Sequence, residues 1–180
     1  MLERMHRCKM RMQSKKEFAT TQEVYDKALD LLALRDHGEQ DMYEKLILKG
    51  ATTQQAREAV EQLKRAGLIN ELQYGMAVYR GWLAKASYGR QHLIGTLTKK
   101  LVAKSCWSEI LENFTSELEE ENARRAAEVF HNKYWNKHFE NKRKLWATAA
   151  AFMVNRGFGA DYMDLVLEKF QIDSPNVYYD

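Results

Sequence analysis

The strongest constraint on this chain is a turn that recurs at Gly50, Leu101 and Gly157, each directly after a cation, Lys49, Lys100 and Arg156. Four residues ahead of the turns lie Leu46, Leu97 and Met153, and eight ahead lie Met42, Leu93 and Ala149. Beyond the turns, at offsets of 6, 10 and 13, come Ala56, Val60 and Leu63, then Trp107, Leu111 and Phe114, then Met163, Leu167 and Phe170. Steps of three and four put each set on one face of a helix. A unit of this kind, of about 50 residues, has too thin a core to stand alone, and stacked neighbours complete it. Arrays built this way serve as binding scaffolds.

Composition supports a helical reading. The chain has 180 residues, 45% of them hydrophobic, with Pro175 as its one proline, so the body lacks the strongest helix breaker. No useful run alternates with period two. The sequence therefore predicts an all-α fold of three tandem three-helix repeats stacked into an elongated, curved array. A basic segment, 1–20, precedes repeats at 21–69, 70–118 and 119–171, and a tail covers 172–180. Thr21 is expected to open the first helix, Thr52 or Thr53 to cap the third, and Gly67 to stop it.

Several function classes lose support at this stage. Cys8 and Cys106 are too few for a disulfide framework or a thiolate metal site, and a reducing compartment suits them. Arg4, Arg7, Lys9, Arg11, Lys15 and Lys16 are not followed by the apolar core of a secretory signal. No stretch approaches the roughly 20 apolar residues of a membrane span. The expectation is a cytoplasmic protein without membrane contact. His131 and His138 lie seven apart with no cysteine or paired carboxylate to complete a ligand set, and no phosphate loop or nucleophile elbow is present. The expectation is a protein that is not an enzyme and needs no cofactor or metal.

Net charge is only +3, and its distribution says more. Between Glu71 and Glu109 there is no acidic residue, while Arg80, Lys85, Arg90, Lys99, Lys100 and Lys104 fall in that window. Such a cluster answers phosphate or acidic side chains, with Tyr88 and Trp82 available for stacking. The alternative is a set of ordinary solvated helix faces. Lys142, Arg143 and Lys144 open a helix, where the dipole disfavours cations, so stability alone does not explain them. Arg35, His37, Lys49 and Arg156 sit at helix ends, where the dipole favours cations, and Arg124 and Arg125 follow a run of Glu with which they can pair.

The run from Ala28 through Arg35-Asp36-His37-Gly38 to Met42, with Lys45-Leu46 and Lys49-Gly50, resembles the opening repeat of the RecX family of recombination regulators. Gly67-Leu68-Ile69-Asn70 is similar to that family's link into its second repeat, and Val78-Tyr79-Arg80 and Tyr88-Gly89 follow in order. Asn155-Arg156-Gly157-Phe158 resembles its closing basic-Gly-aromatic motif, so the likeness spans about residues 24–170. The resemblance implies three tandem three-helix repeats. It further implies a regulator that binds the RecA recombinase filament on single-stranded DNA, lodges in its groove and restrains its ATPase, strand-exchange and coprotease activities. On that reading the protein is a monomer whose contact surface comprises Arg80, Lys85, Tyr88, Arg90, Lys99, Lys100, Lys104, Lys142, Arg143 and Lys144.

The sequence departs from the family pattern at Gly38, Asn70-Glu71, Ser87, Arg90 and Leu101. A Leu in the left-handed region costs on the order of 1 kcal/mol, so the turn at Leu101 is expected to adopt a different geometry. A reading from another class remains: short helices joined by Gly turns also suit a helix-turn-helix protein that reads duplex DNA without RecA.

Overall fold

Apolar residues at steps of three and four, separated by turn residues at regular intervals, fold as the sequence predicts. The computed structural model describes residues 18–134, 139 and 141–169. Cys8 and the N-terminal cations, His138, Phe170 and the tail lie outside the described residues. Those described carry nine α-helices in tandem three-helix-like repeats: α1 (Thr21–Leu34), α2 (Glu39–Lys49), α3 (Thr53–Arg65), α4 (Glu71–Leu83), α5 (Arg90–Lys99), α6 (Trp107–Glu112), α7 (Ser116–Tyr134), α8 (Lys142–Asn155) and α9 (Met163–Lys169). Short 3₁₀ turns at Lys104–Cys106 and Ala160–Tyr162 lead into α6 and α9. The chain divides into two compact units, Met1–Tyr74 and Gly75–Asp180.

In the first unit Val24 and Ala28 of α1, Met42 and Leu46 of α2, and Ala56, Ala59, Val60 and Leu63 of α3 make one core. In the second, Ala123, Ala126, Ala127 and Phe130 of α7 pack with Leu145, Ala149 and Met153 of α8 and with Met163 and Val166 of α9. Tyr79, Trp82, Leu93, Leu97, Ile110 and Phe114 are buried in the same unit. Each buried Leu stabilises by roughly 1.5–3 kcal/mol. The repeat's apolar register has one more position than the sequence reading assigned. Ala59, Ile110 and Val166, each nine residues past its turn, are all fully buried. In the middle repeat Ile110 takes the place that Trp107 and Leu111 fill only in part.

The turns correct one expectation. Leu101 is left-handed, with φ 59°, beside Gly50 at 108° and Gly157 at 82°. All three close the same way. Gly50 N–H donates to Ile47 O and Ala51 N–H to Leu46 O; Leu101 N–H to Thr98 O and Val102 N–H to Leu97 O; Gly157 N–H to Val154 O and Phe158 N–H to Met153 O. These paired bonds satisfy carbonyls that a helix end leaves open. The hydrogen-bonded turn, with Val102 4% exposed beside it, outweighs a strain of about 1 kcal/mol at Leu101.

Helix starts add two details. Thr20, not Thr21, is the N-cap of α1, its hydroxyl accepting from Glu23 N. Thr52 caps α3 in a reciprocal box with Gln55. The second helix of each of the first two repeats starts after a glycine with no side-chain cap, Gly38 for α2 and Gly89 for α5. A glutamate from a later helix supplies what is missing. Glu71 of α4 accepts from Glu39 N, and Glu119 of α7 accepts from Arg90 N at 2.7 Å. A side chain at Gly38 would collide with Tyr74 and with the Glu71 carboxylate, so only glycine fits at this cap. The departures at Gly38 and Glu71 are two halves of one device.

Candidate partner-binding surface

All ten residues predicted from sequence fall in the second unit. Arg80 and Lys85 lie on and just after α4, Lys99 and Lys100 at the end of α5, and Lys104 in the 3₁₀ turn before α6; all five are exposed. Arg80, Lys85 and Lys99 make no ion pair among the described residues. Lys104 Nζ stands 6.0 Å from the Trp107 ring. Lys142, Arg143 and Lys144 form the exposed first turn of α8, whose N-cap Asn141 accepts from Lys144 N at 2.9 Å. Three cations therefore sit at a helix N-terminus, where the dipole opposes them.

Arg90 is placed differently. Its guanidinium donates to the carbonyls of Leu111 and Phe114, its Nε lies 3.4 Å from the Glu119 carboxylate, and its Cζ is 5.6 Å from the Phe114 ring. It ties the end of α6 to the start of α7, so its charge is engaged within the fold. Trp82 is 2% exposed and cannot stack on a partner. Its indole packs edge-on against Phe114, with centroids 5.0 Å apart, and donates to His92 Nδ1 at 2.8 Å. Tyr79, also buried, donates to Asn113 O at 2.8 Å. Tyr88 is half-buried, held by the Asn122 side chain, which donates to Tyr88 O at 3.0 Å, and by the His92 ring at 4.1 Å.

Around His92 the fold assembles a cationic and aromatic patch that the sequence does not announce. Lys85 and Arg156 both act on the His92 ring, and the Arg156 guanidinium lies over Phe152 at 3.9 Å and over Tyr88 at 5.4 Å. Backbone bonds fix this arrangement: Gly89 N–H donates to Arg156 O at 2.9 Å and Gln91 N–H to Gly157 O at 3.2 Å. Burial, with Lys85 and Arg156 as neighbours, holds the His92 pKa below its usual value. Because Nδ1 accepts from Trp82, the neutral ring carries its proton on Nε2. Sequence position gives Arg156 a reason to exist as a capping cation, and that masks its side-chain role. The guanidinium bonds to no carbonyl among the described residues, and its Nε is buried without a hydrogen-bond partner.

The other sequence candidates are satisfied locally. Arg35 and His37 converge on Asp41, at 2.9 and 2.7 Å, with His37 3% exposed. Arg124 pairs with Glu120 and Arg125 with Glu121 along α7. Among the described residues no three His, Cys, Asp or Glu side chains converge as metal ligands, and no helix is long and apolar enough to cross a membrane.

Comparison with known proteins joins this geometry to a family. The family of RecX first three-helix domains matches residues 25–63. The regulatory protein RecX of Vibrio cholerae serotype O1 (strain O395) is 30% identical over 146 residues, 81% of this chain and 92% of that protein. The regulatory protein RecX of Pelodictyon phaeoclathratiforme is 34% identical over 89 residues, 49% of this chain and 56% of that protein. The crystal structure of RecX from Lactobacillus salivarius has the same fold, with a TM-score of 0.67 at 20% identity, over 84% of this chain and 96% of that one.

Proposed function

Because the chain belongs to the RecX family of regulatory proteins, we propose that it binds RecA filaments on single-stranded DNA and restrains their recombinase, ATPase and coprotease activities. It acts as a monomer and by occupancy, through the cations of the middle repeat together with the first turn of α8. The observation that carries this reading is the absence of any acidic residue between Glu71 and Glu109. In that window Arg80, Lys85, Lys99, Lys100 and Lys104 all stand exposed. A protein filament on DNA offers phosphates and carboxylates, and exposed lysine and arginine answer both.

Titrating the protein into RecA on single-stranded DNA and following ATP hydrolysis tests the proposal. Hydrolysis is expected to fall with increasing protein at modest salt. Unchanged hydrolysis at micromolar protein would sink it. A mobility-shift comparison of single-stranded and duplex DNA without RecA separates it from a helix-turn-helix reader, which would select duplex sequence unaided.

A further inference from the structure

A groove of about 620 Å³ runs between α7 and α8, lined by Val129, Lys133 and Tyr134 from α7, by Ala147, Thr148, Ala151, Phe152 and Asn155 from α8, and by Arg156 just beyond it. Its size suits a small ligand or a few residues of peptide. Two cations and no acidic side chain line it. Neither Arg156 nor Lys133 makes an ion pair among the described residues, and Arg156 Nε has no hydrogen-bond partner. The guanidinium lies over the rings of Phe152 and Tyr88, which pre-orders its fork of donors for a planar carboxylate. Lys133 Nζ is likewise held 5.2 Å from the Tyr134 ring.

The aromatic lining argues against a nucleotide. Phe152 carries Arg156 over its ring and meets Phe130 at 5.1 Å. Tyr134 meets Phe130 at 4.6 Å and Lys133 at 5.2 Å. Both rings of the groove are thus already engaged by neighbours, and two cations do not form a track for successive phosphates. Exposed Val129, Ala147 and Ala151 instead give a shallow apolar wall beside the cations. We propose that this groove docks an acidic segment of a partner polypeptide, with carboxylates paired to Arg156 and Lys133 and an apolar side chain laid on Val129, Ala147 and Ala151. None of the middle-repeat cations lines the groove, although Arg156 meets Lys85 around His92 at its edge, and the groove's existence does not depend on RecA being the partner.

The test uses the full chain and a defined probe, an acetylated hexapeptide of alternating Glu and Leu, followed by amide and arginine Nε–H NMR shifts. Saturable shifts at Ala147, Ala151, Asn155 and the Arg156 Nε–H are expected, with binding at least tenfold weaker when Gln replaces Glu. Ala151→Glu, at an exposed helical position, places a carboxylate of the chain's own in the groove and should abolish binding without unfolding the protein. Arg156→Lys, which keeps the charge and loses the fork, should weaken binding severalfold. The proposal is overturned by equal binding of the Gln peptide, by an unaffected Ala151→Glu variant, by no saturable shift, or by shifts with an oligothymidine hexamer alone. RecA ATPase restraint measured in parallel on Ala151→Glu keeps the two proposals apart, since peptide binding can fail while restraint persists.

Discussion

Two breaks between helices occupy matching places in the two units and handle charge in opposite ways. Between α1 and α2, Arg35 and His37 both turn onto Asp41, and the acid neutralises what the break exposes. Between α4 and α5, Lys85, Tyr88 and His92 gather with Arg156, and the nearby acid, Glu119, is engaged with the Arg90 backbone and side chain. The backbone devices are shared: a glycine N-cap, a glutamate from a later helix, and left-handed closing turns. Since main-chain bonds and one carboxylate hold each break, its other side chains are free to diverge. The first break closes upon itself, and the second keeps its positive charge.

If backbone docking organises the second unit, its largest sensitivity lies at Gly157. A Cβ there would enter the backbone of His92, and φ is already 82°. Gly157→Ala should lose on the order of 3 kcal/mol, combining left-handed strain with overpacking. Gly67 closes α3 in the first unit and is equally left-handed at 67°, but a Cβ added to it would meet nothing within 4 Å. Gly67→Ala should lose only about 1 kcal/mol. Urea unfolding of both variants checks the contrast, and equal losses would show that the His92 backbone gives way freely.

How much of this was open to sequence reading depends on whether the signal is periodic. The helices and turns were legible because offsets of three and four repeat around Gly50, Leu101 and Gly157, and Met42, Leu46, Leu93 and Leu97 are buried as the pattern requires. The Leu101 turn was misjudged because propensity prices one residue, while Val102 burial and two backbone bonds act together. The basic window was visible as composition. Which of its members are engaged internally was not, because Arg90 meets Leu111, Phe114 and Glu119 across 21 to 29 residues. The contact role that the sequence suggests for Trp82 fails, since an aromatic residue has the same letter in a core as on a surface and Trp82 is buried. Arg156 escaped notice because helix-end chemistry already explained a cation there.

The second contrast concerns charge exposed to a partner. Arg90→Ala would confuse binding with loss of its carbonyl hydrogen bonds, so the informative variant combines Arg80→Ala, Lys85→Ala and Lys99→Ala, all exposed and without ion pairs among the described residues. Stability should stay within about 0.5 kcal/mol. Affinity for RecA-coated single strands should fall, and its salt dependence should flatten by about 0.7 for each phosphate that is no longer neutralised. Removing Lys27 and Lys64 of the first unit, which pair with Asp30 and with Glu39 and Glu61, should leave that slope unchanged. Salt titrations of filament binding by the two variants decide it, and a slope that moves with the first-unit pair would shift the binding surface there.

The smallest expected effect is on pH, and it separates the two breaks by cause. Both His37 and His92 have pKa values lowered chiefly by burial; at His37 the Asp41 carboxylate pulls upward against Arg35 and Lys45, whereas Lys85 and Arg156 push His92 further down. A depressed folded-state pKa means that the unfolded chain binds more protons, so the stabilising contribution is complete above about pH 6.5 and is lost as pH falls through the folded value. His92 has an added reason to resist protonation: a proton on Nδ1 would displace the bond from the buried Trp82 indole. Stability should therefore drop between about pH 7.5 and about pH 5.5, and His92→Gln should reduce that drop more than His37→Gln, because only His37 gains a carboxylate partner when charged. Urea midpoints at the two pH values measure it. A drop unchanged by His92→Gln would mean that the second break is no more sensitive to acid than the first.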